Sequence, residues 1–226
     1  MIPICPAPRQ PSRPKVPTPP KACDTHAHVF GPGAHFPYAE DRSYTPPDAP
    51  LEKYLAMLDT LGFERGALVQ GSAHGRDNSA MLDALARNPD CLRGVAVADE
   101  SVPAAELRRF ASLGVRALRF NHFFRGGQLH YRGGVPLTAA QALAPLMKQL
   151  GWHLQLWIDV KDLPDTIPIL KSIGVPDAMS ISIMPPATRM QSNFFMRVSS
   201  LAVASYYWRR VILASVRAWL TCPTQA

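Results

Sequence analysis

Between residues 22 and 176 the chain alternates five times between a short apolar run and a longer stretch with helical spacing. The apolar runs "CDTHAHVF", "RGALVQGS" (65–72), "LRGVAVAD" (92–99), "VRALRFN" (115–121) and "WHLQLWID" (152–159) read as strands. Helices are expected over 49–62, 77–89, 101–114, 137–151 and 162–174. Gly62 is a stop for the first, an N-cap residue opens the second, and Pro103 lies near the first turn of the third. Pro145 should kink the fourth. Strand–helix alternation implies parallel strands joined by right-handed crossovers. Runs such as "GALVQG" and "GVAVA" are apolar on both faces, as a covered parallel sheet requires.

A doubly wound sheet and a (β/α)8 barrel both give this rhythm. The first strand–loop lacks a Gly-rich phosphate fingerprint, which weakens the former. Polar residues stand at the strand ends: His26 and His28, Gln70 and Ser72, Asp99, Arg119 and Asn121, Asp159. In a barrel those ends converge on one mouth. An α/β barrel of the TIM type is therefore expected. A full barrel takes about 250 residues, and the five units already occupy 22–174 of the 226. The rest does not read as three more units, so the barrel is expected to be incomplete.

This reading divides the chain into three segments. Residues 1–21 form a Pro-rich arm, with eight prolines in the first twenty residues and no apolar signal core. It is read as a passive extended arm or a docking segment. Residues 22–176 form the partial barrel, and 177–226 an atypical basic tail. All 17 acidic residues lie at or before Asp177, whereas 178–226 carry five arginines and no acid. No nucleic-acid motif accompanies them, so nucleic acid is not expected as a partner. The uncharged run near Val198–Trp208 is too short to span a bilayer, though an amphipathic surface helix over 194–220 is conceivable. Four scattered cysteines without a C-x-x-C pair fit a reducing, cytoplasmic setting.

His26 and His28 are two residues apart on a strand, so their side chains point the same way, into the mouth. Such a pair can share a divalent metal or bind an anion. A catalytic metal usually takes three protein ligands. No histidine lies beyond His153 and no aspartate beyond Asp177, so the later chain cannot complete a His/Asp site.

The segments "ACDTHAHVFGPGAHFPYAEDRSYTPPDAP", "ALVQGSAHGRDNSAMLDAL", "RGVAVAD", "GVRALRFN" and "LGWHLQLWID" resemble, in order and spacing, the amidohydrolase-related family. The likeness is to its 2-pyrone-4,6-dicarboxylate lactonase group and sugar-lactone relatives. The resemblance implies a (β/α)8 barrel that hydrolyses a small carboxylated lactone. His26 and His28 map onto the catalytic H-x-H pair, which would hold one divalent metal (zinc or manganese) if one is used. A metal-independent site remains open. Tyr44, Ser72, Arg119 and Arg125 map onto substrate-binding positions. Trp157 maps onto an aromatic where the family pattern expects tyrosine. Two arginines suit a dicarboxylate, because guanidinium pairs with carboxylate through two parallel hydrogen bonds. Each residue has a plainer alternative: an ion pair for Arg119, a turn for Ser72, packing for Tyr44.

The family continues with a strand ending in D-H-x-G and, later, a strand-end aspartate that serves as general base. Neither stands in "GVPDAMSISIMPPATRM". A reading-frame shift near codons 175–178 is one expectation and a natural short variant the other. The functional expectation is a lactonase-type hydrolase, inactive as this chain if those strands are lost. The alternatives are a carboxylate-binding remnant and a membrane-surface or interaction protein acting through the tail.

Overall fold

The computed structural model describes residues 2–159, 162–174 and 180–184. Its strands are β1 (Cys23–Ala27), β2 (Arg65–Val69), β3 (Leu92–Ala96), β4 (Val115–His122), the short β5 (Phe124–Arg125) and β6 (Gln128–Leu129), β7 (His153–Asp159) and β8 (Ser180–Met184). The main sheet runs in the order β1-β2-β3-β4-β7-β8, and all its neighbours pair in parallel. The helices between them are α1 (Leu51–Leu61), α2 (Ser79–Arg87), α3 (Ala104–Ser112), α4 (Ala140–Gln149) and α5 (Leu163–Ile173). This is a half-barrel of parallel strands with helices, the incomplete α/β barrel that the alternation implies.

Local chemistry sets the boundaries. Gly62 and Gly174 end α1 and α5 in the left-handed region, with φ of 74° and 55°, where glycine carries no Cβ penalty. Pro145 sits within α4. Asn78 does not cap α2 with its side chain. Its amide instead bonds both the N–H and the C=O of Val97, at 2.9 and 2.8 Å, and so holds the end of β3.

Two elements depart from the sequence reading. Ser180–Met184, placed in the atypical tail, forms a sixth strand of the main sheet beside β7, with Gln155 opposite Ser180 and Trp157 opposite Ser182. The rest of the tail lies outside the described residues. A short antiparallel hairpin of β5 and β6 interrupts the link from β4 to α4.

The alternation of side chains sorts the sheet into two faces. Leu118 and Phe120 of β4 and Leu154, Leu156 and Ile158 of β7 join the main core with Leu107, Phe110, Leu143 and Met147 of the helices. Ala117 belongs to a separate small cluster with Val69 and Val95. Arg119 and Asn121 continue that second face toward the strand ends.

The Pro-rich arm is tied down at both ends. Cys5 N–H donates to Thr45 O at 2.9 Å and Thr45 N–H to Pro3 O at 2.8 Å. Farther along, the Thr18 hydroxyl donates to Leu61 O, and Lys21 N–H donates to the Glu64 carboxylate at 2.8 Å.

Candidate active site

A cleft of about 390 Å³, including its open mouth, lies at the C-terminal ends of β1 to β4. Of its lining, His28 follows β1, Gln70 and Ser72 follow β2, Val97 follows β3, and Arg119 and Asn121 come from β4. Loops bring Tyr44, Gly75, Tyr131, Gly133 and Gly134.

The first strand explains the order of its polar residues. Asp24 does not turn to the cleft. Its carboxylate accepts the backbone N–H of His26 at 3.2 Å and the hydroxyl of Tyr54 from α1 at 3.0 Å. The His26 and His28 rings meet edge to face, centroids 5.1 Å apart. His28 Nδ1 lies 2.7 Å from Val69 O. A carbonyl only accepts, so Nδ1 carries the proton and Nε2 keeps its lone pair. Burial pushes His26 down to about 3, helped by the His28 and Arg119 charges. Burial and Arg119 push His28 down to about 4. Both rings are neutral near pH 7.

Arg119 is the cationic anchor. Burial lowers its pKa from the ordinary value, but arginine keeps its proton in proteins. Its Nε donates to Asn121 Oδ1 at 3.2 Å. Among the described residues, no Asp or Glu lines the cleft. Hydroxyls gather beside Arg119. Tyr44 Oη and Ser72 Oγ are 3.1 Å apart, and the Tyr131 ring meets the Tyr44 ring edge to face with centroids 6.3 Å apart. Burial raises both tyrosines, so they remain protonated donors.

The structure thus gathers His28, Tyr44, Ser72 and Arg119 around one cleft. His26 packs beside His28 without being a lining residue. Trp157 also stands back from the lining, buried between Phe123 and Tyr131, with centroids 4.7 and 4.6 Å away. Arg125 falls in β5, and its side chain lies outside the described structure. Asp99 is engaged with Arg76 and Ser101, and His153 opens β7 opposite Ala117, away from the strand ends.

Sequence reasoning passed over Tyr131, Gly133 and Gly134, which lie in a loop without periodicity. It also passed over His74. Buried, His74 accepts the N–H of Gly31 at Nε2 (3.3 Å) and approaches Pro37 O through Nδ1 (3.0 Å). It pins the loop after β1 to the turn after β2.

Among the described residues, His26 and His28 are the imidazoles at the strand end beside the Arg119 guanidinium. The described residues contain no group of three or more His, Cys, Asp or Glu poised around one point, and the Arg119 charge opposes a cation there.

A family model for amidohydrolases matches residues 23–174. The chain is 49% identical over 156 residues to the 4-sulfomuconolactone hydrolase of Rhizobium radiobacter, covering 69% of this chain and 51% of that protein. It is 40% identical over 155 residues to the 2-pyrone-4,6-dicarboxylate hydrolase of Comamonas testosteroni, covering 69% and 49%. The chain therefore spans about half the length of these curated relatives. A crystal structure from Pseudomonas putida, described as a 2-pyrone-4,6-dicarboxylic acid hydrolase, superposes with a TM-score of 0.57 at 37% identity, covering 72% of this chain and 56% of that one. One from Acinetobacter baumannii, similarly described and with citric acid bound, gives 0.58 at 28% identity, covering 72% and 57%. The match runs through all five strand–helix units and through the strand ends that build the cleft: the chain belongs to the amidohydrolase family.

Proposed function

We propose that the cleft serves the hydrolysis of a small carboxylated lactone, of the 2-pyrone-4,6-dicarboxylate or sulfomuconolactone kind. The observation that carries this reading is Arg119, a half-buried cation in a cleft whose described lining holds no acid. Among the described residues no carboxylate in the cleft pairs with this cation, and a substrate carboxylate would supply the partner. The names of the relatives and the citric acid in the Acinetobacter structure support the same chemistry.

In hydrolysis, water adds to the lactone carbonyl and the ring C–O bond breaks; the acyl carbon ends as a new carboxylate, and the ring oxygen leaves as a hydroxyl or enol that takes one of the water's protons, the other going to solvent. Arg119 holds the substrate carboxylate. Tyr44, Ser72 and Tyr131 offer hydroxyl donors where carbonyl oxygen gains negative charge. His28 accepts a hydrogen bond from water at Nε2, and His26 packs against it. With a pKa near 4, His28 orients water rather than deprotonating it fully. No step through a metal is drawn from these residues. Among the described residues Cys5, Cys23 and Cys91 are free thiols, which agrees with a reducing, cytoplasmic setting as part of this proposal.

A second reading is favoured by the absence of a carboxylate general base from the described lining: the chain binds carboxylates without turning them over. Pyrone absorbance during incubation with 2-pyrone-4,6-dicarboxylate, paired with calorimetry on the same ligand, separates the two. Absorbance loss supports the hydrolase; heat without absorbance loss supports the binding module. In either case Arg119→Met should weaken binding by at least tenfold, because the charge-assisted pair is lost. Unchanged binding in a folded Arg119→Met protein removes both readings.

A further inference from the structure

We infer that Tyr131 determines specificity at this site by selecting flat, unsaturated ring carboxylates over puckered, saturated ones. The inference rests on the carboxylate-binding cleft proposed above and assigns a further residue to it.

Phe123, Trp157 and Tyr131 form a pile of three rings. Phe123 stacks on Trp157 at 4.7 Å with planes 28° apart, and Tyr131 stacks on the same indole at 4.6 Å and 19°. Both distances suit offset stacking. Of the three rings, only Tyr131 lines the cleft. Trp157 is buried and held by the strand, so it backs Tyr131 as a wall. A flat ligand ring continues the pile. A chair or envelope ring of the same charge cannot lie flush on it.

The loop carrying Tyr131 is fastened at close range. Gly134 N–H donates to Tyr131 O at 2.9 Å, and Asn121 N–H to Val135 O at 2.7 Å. A Cβ on Gly133 would meet Gly75 Cα at 2.9 Å, and one on Gly134 would meet Asn121 Cβ at 2.9 Å. Only glycines allow this approach. Tyr131 lines the cleft beside Ser72 and Arg119. The Tyr131 ring and the carboxylate anchor therefore line one cleft, on a loop held by close contacts that leave little freedom to lose on binding.

Two probes with the same 1,3-dicarboxylate pattern test this without requiring turnover: isophthalate, which is flat, and cis-cyclohexane-1,3-dicarboxylate, which is puckered. Affinities are read by calorimetry and by quenching of tryptophan fluorescence, on the full chain. The wild type should prefer isophthalate by about fivefold, the size of one stacking contact. Tyr131→Leu should bring the ratio of the two affinities to near one, whatever the absolute affinities become. Tyr131→Phe should keep the ratio, since the face remains. Equal wild-type affinities, or an unchanged ratio in folded Tyr131→Leu, overturn the inference while leaving the carboxylate site standing. If neither probe binds the folded wild type, the inference and the carboxylate site fall together. Should Tyr131→Leu not fold, the wild-type ratio and Tyr131→Phe still decide: loss of the ratio in Tyr131→Phe overturns the role of the face.

Discussion

Histidines held neutral inside a fold make that fold sensitive to acid. His26, His28 and His153 are pushed down to about 3, 4 and 4, each chiefly by burial. In the unfolded chain each returns to about 6.5. The unfolded state then binds more protons between those values, so stability falls as pH drops from about 6.5 toward 4. The contribution is fully present above pH 6.5. The melting temperature should hold steady from pH 8 to 7 and then decline steeply toward pH 4.5. His153→Gln should flatten part of that decline, on the order of 1–2 kcal/mol at pH 5. A decline that begins only below pH 4 would assign acid sensitivity to carboxylates instead. At this scale the sequence was informative where a residue stands at a strand end. Period-two alternation sets His26 and His28 on one side of their strand, and parallel order brings Ser72 and Arg119 to the same rim. Tyr131 carries no such signal: its place depends on how residues 123–136 fold back, and on two glycines whose need for close contact only appears in three dimensions.

Helix α1 is fixed to the sheet through a polar contact inside an otherwise apolar layer. Tyr54 reaches from α1 to Asp24 in β1, and it can do so only because residue 66 in β2 has no side chain. A Cβ at Gly66 would lie 2.2 Å from the Tyr54 hydroxyl oxygen. Gly66→Ala should therefore displace Tyr54 and cost about 1–3 kcal/mol, as overpacking typically does. Tyr54→Phe should cost about 1 kcal/mol by losing the hydrogen bond alone. Urea unfolding measures both, and a Gly66→Ala protein of wild-type stability would show that the contact is not tight. The acidic residue before the histidine pair thus serves the fold, a role that spacing cannot distinguish from metal ligation. The main helices and strands were legible because their periods differ. Strand β8 was not, although "SISIM" alternates: five residues are too few for period alone, and no strand–helix punctuation follows them in a stretch without acidic residues. The β5–β6 hairpin was hidden for a different reason, since two-residue strands are shorter than any periodicity can register.

Over the whole molecule, the Pro-rich arm joins the site to the outside of the barrel. Its first contact holds Thr45, the neighbour of Tyr44, and its last reaches the end of α1. The prolines keep this span extended with little entropy to lose. Deleting residues 2–6 removes both backbone bonds to Thr45. The expected result is a stability loss of about 1–2 kcal/mol and a several-fold weaker grip on dicarboxylates, read by calorimetry. Unchanged affinity would mean that the loop carrying Tyr44 holds itself. The arm was legible as extended chain, but its landing points were not, because backbone bonds to a distant loop leave no mark on composition.

Every described group lining the cleft comes from one continuous stretch, His28 to Gly134. That gives the chain a modular grammar. The part that grips a ligand is contiguous, so recombination can move it as one cassette. A crossover after β7 exchanges the later helices and strands while keeping the cleft lining, the Val135 fastening and the Trp157 backing together, and new reactions can be tried on an old ligand without relearning how to hold it.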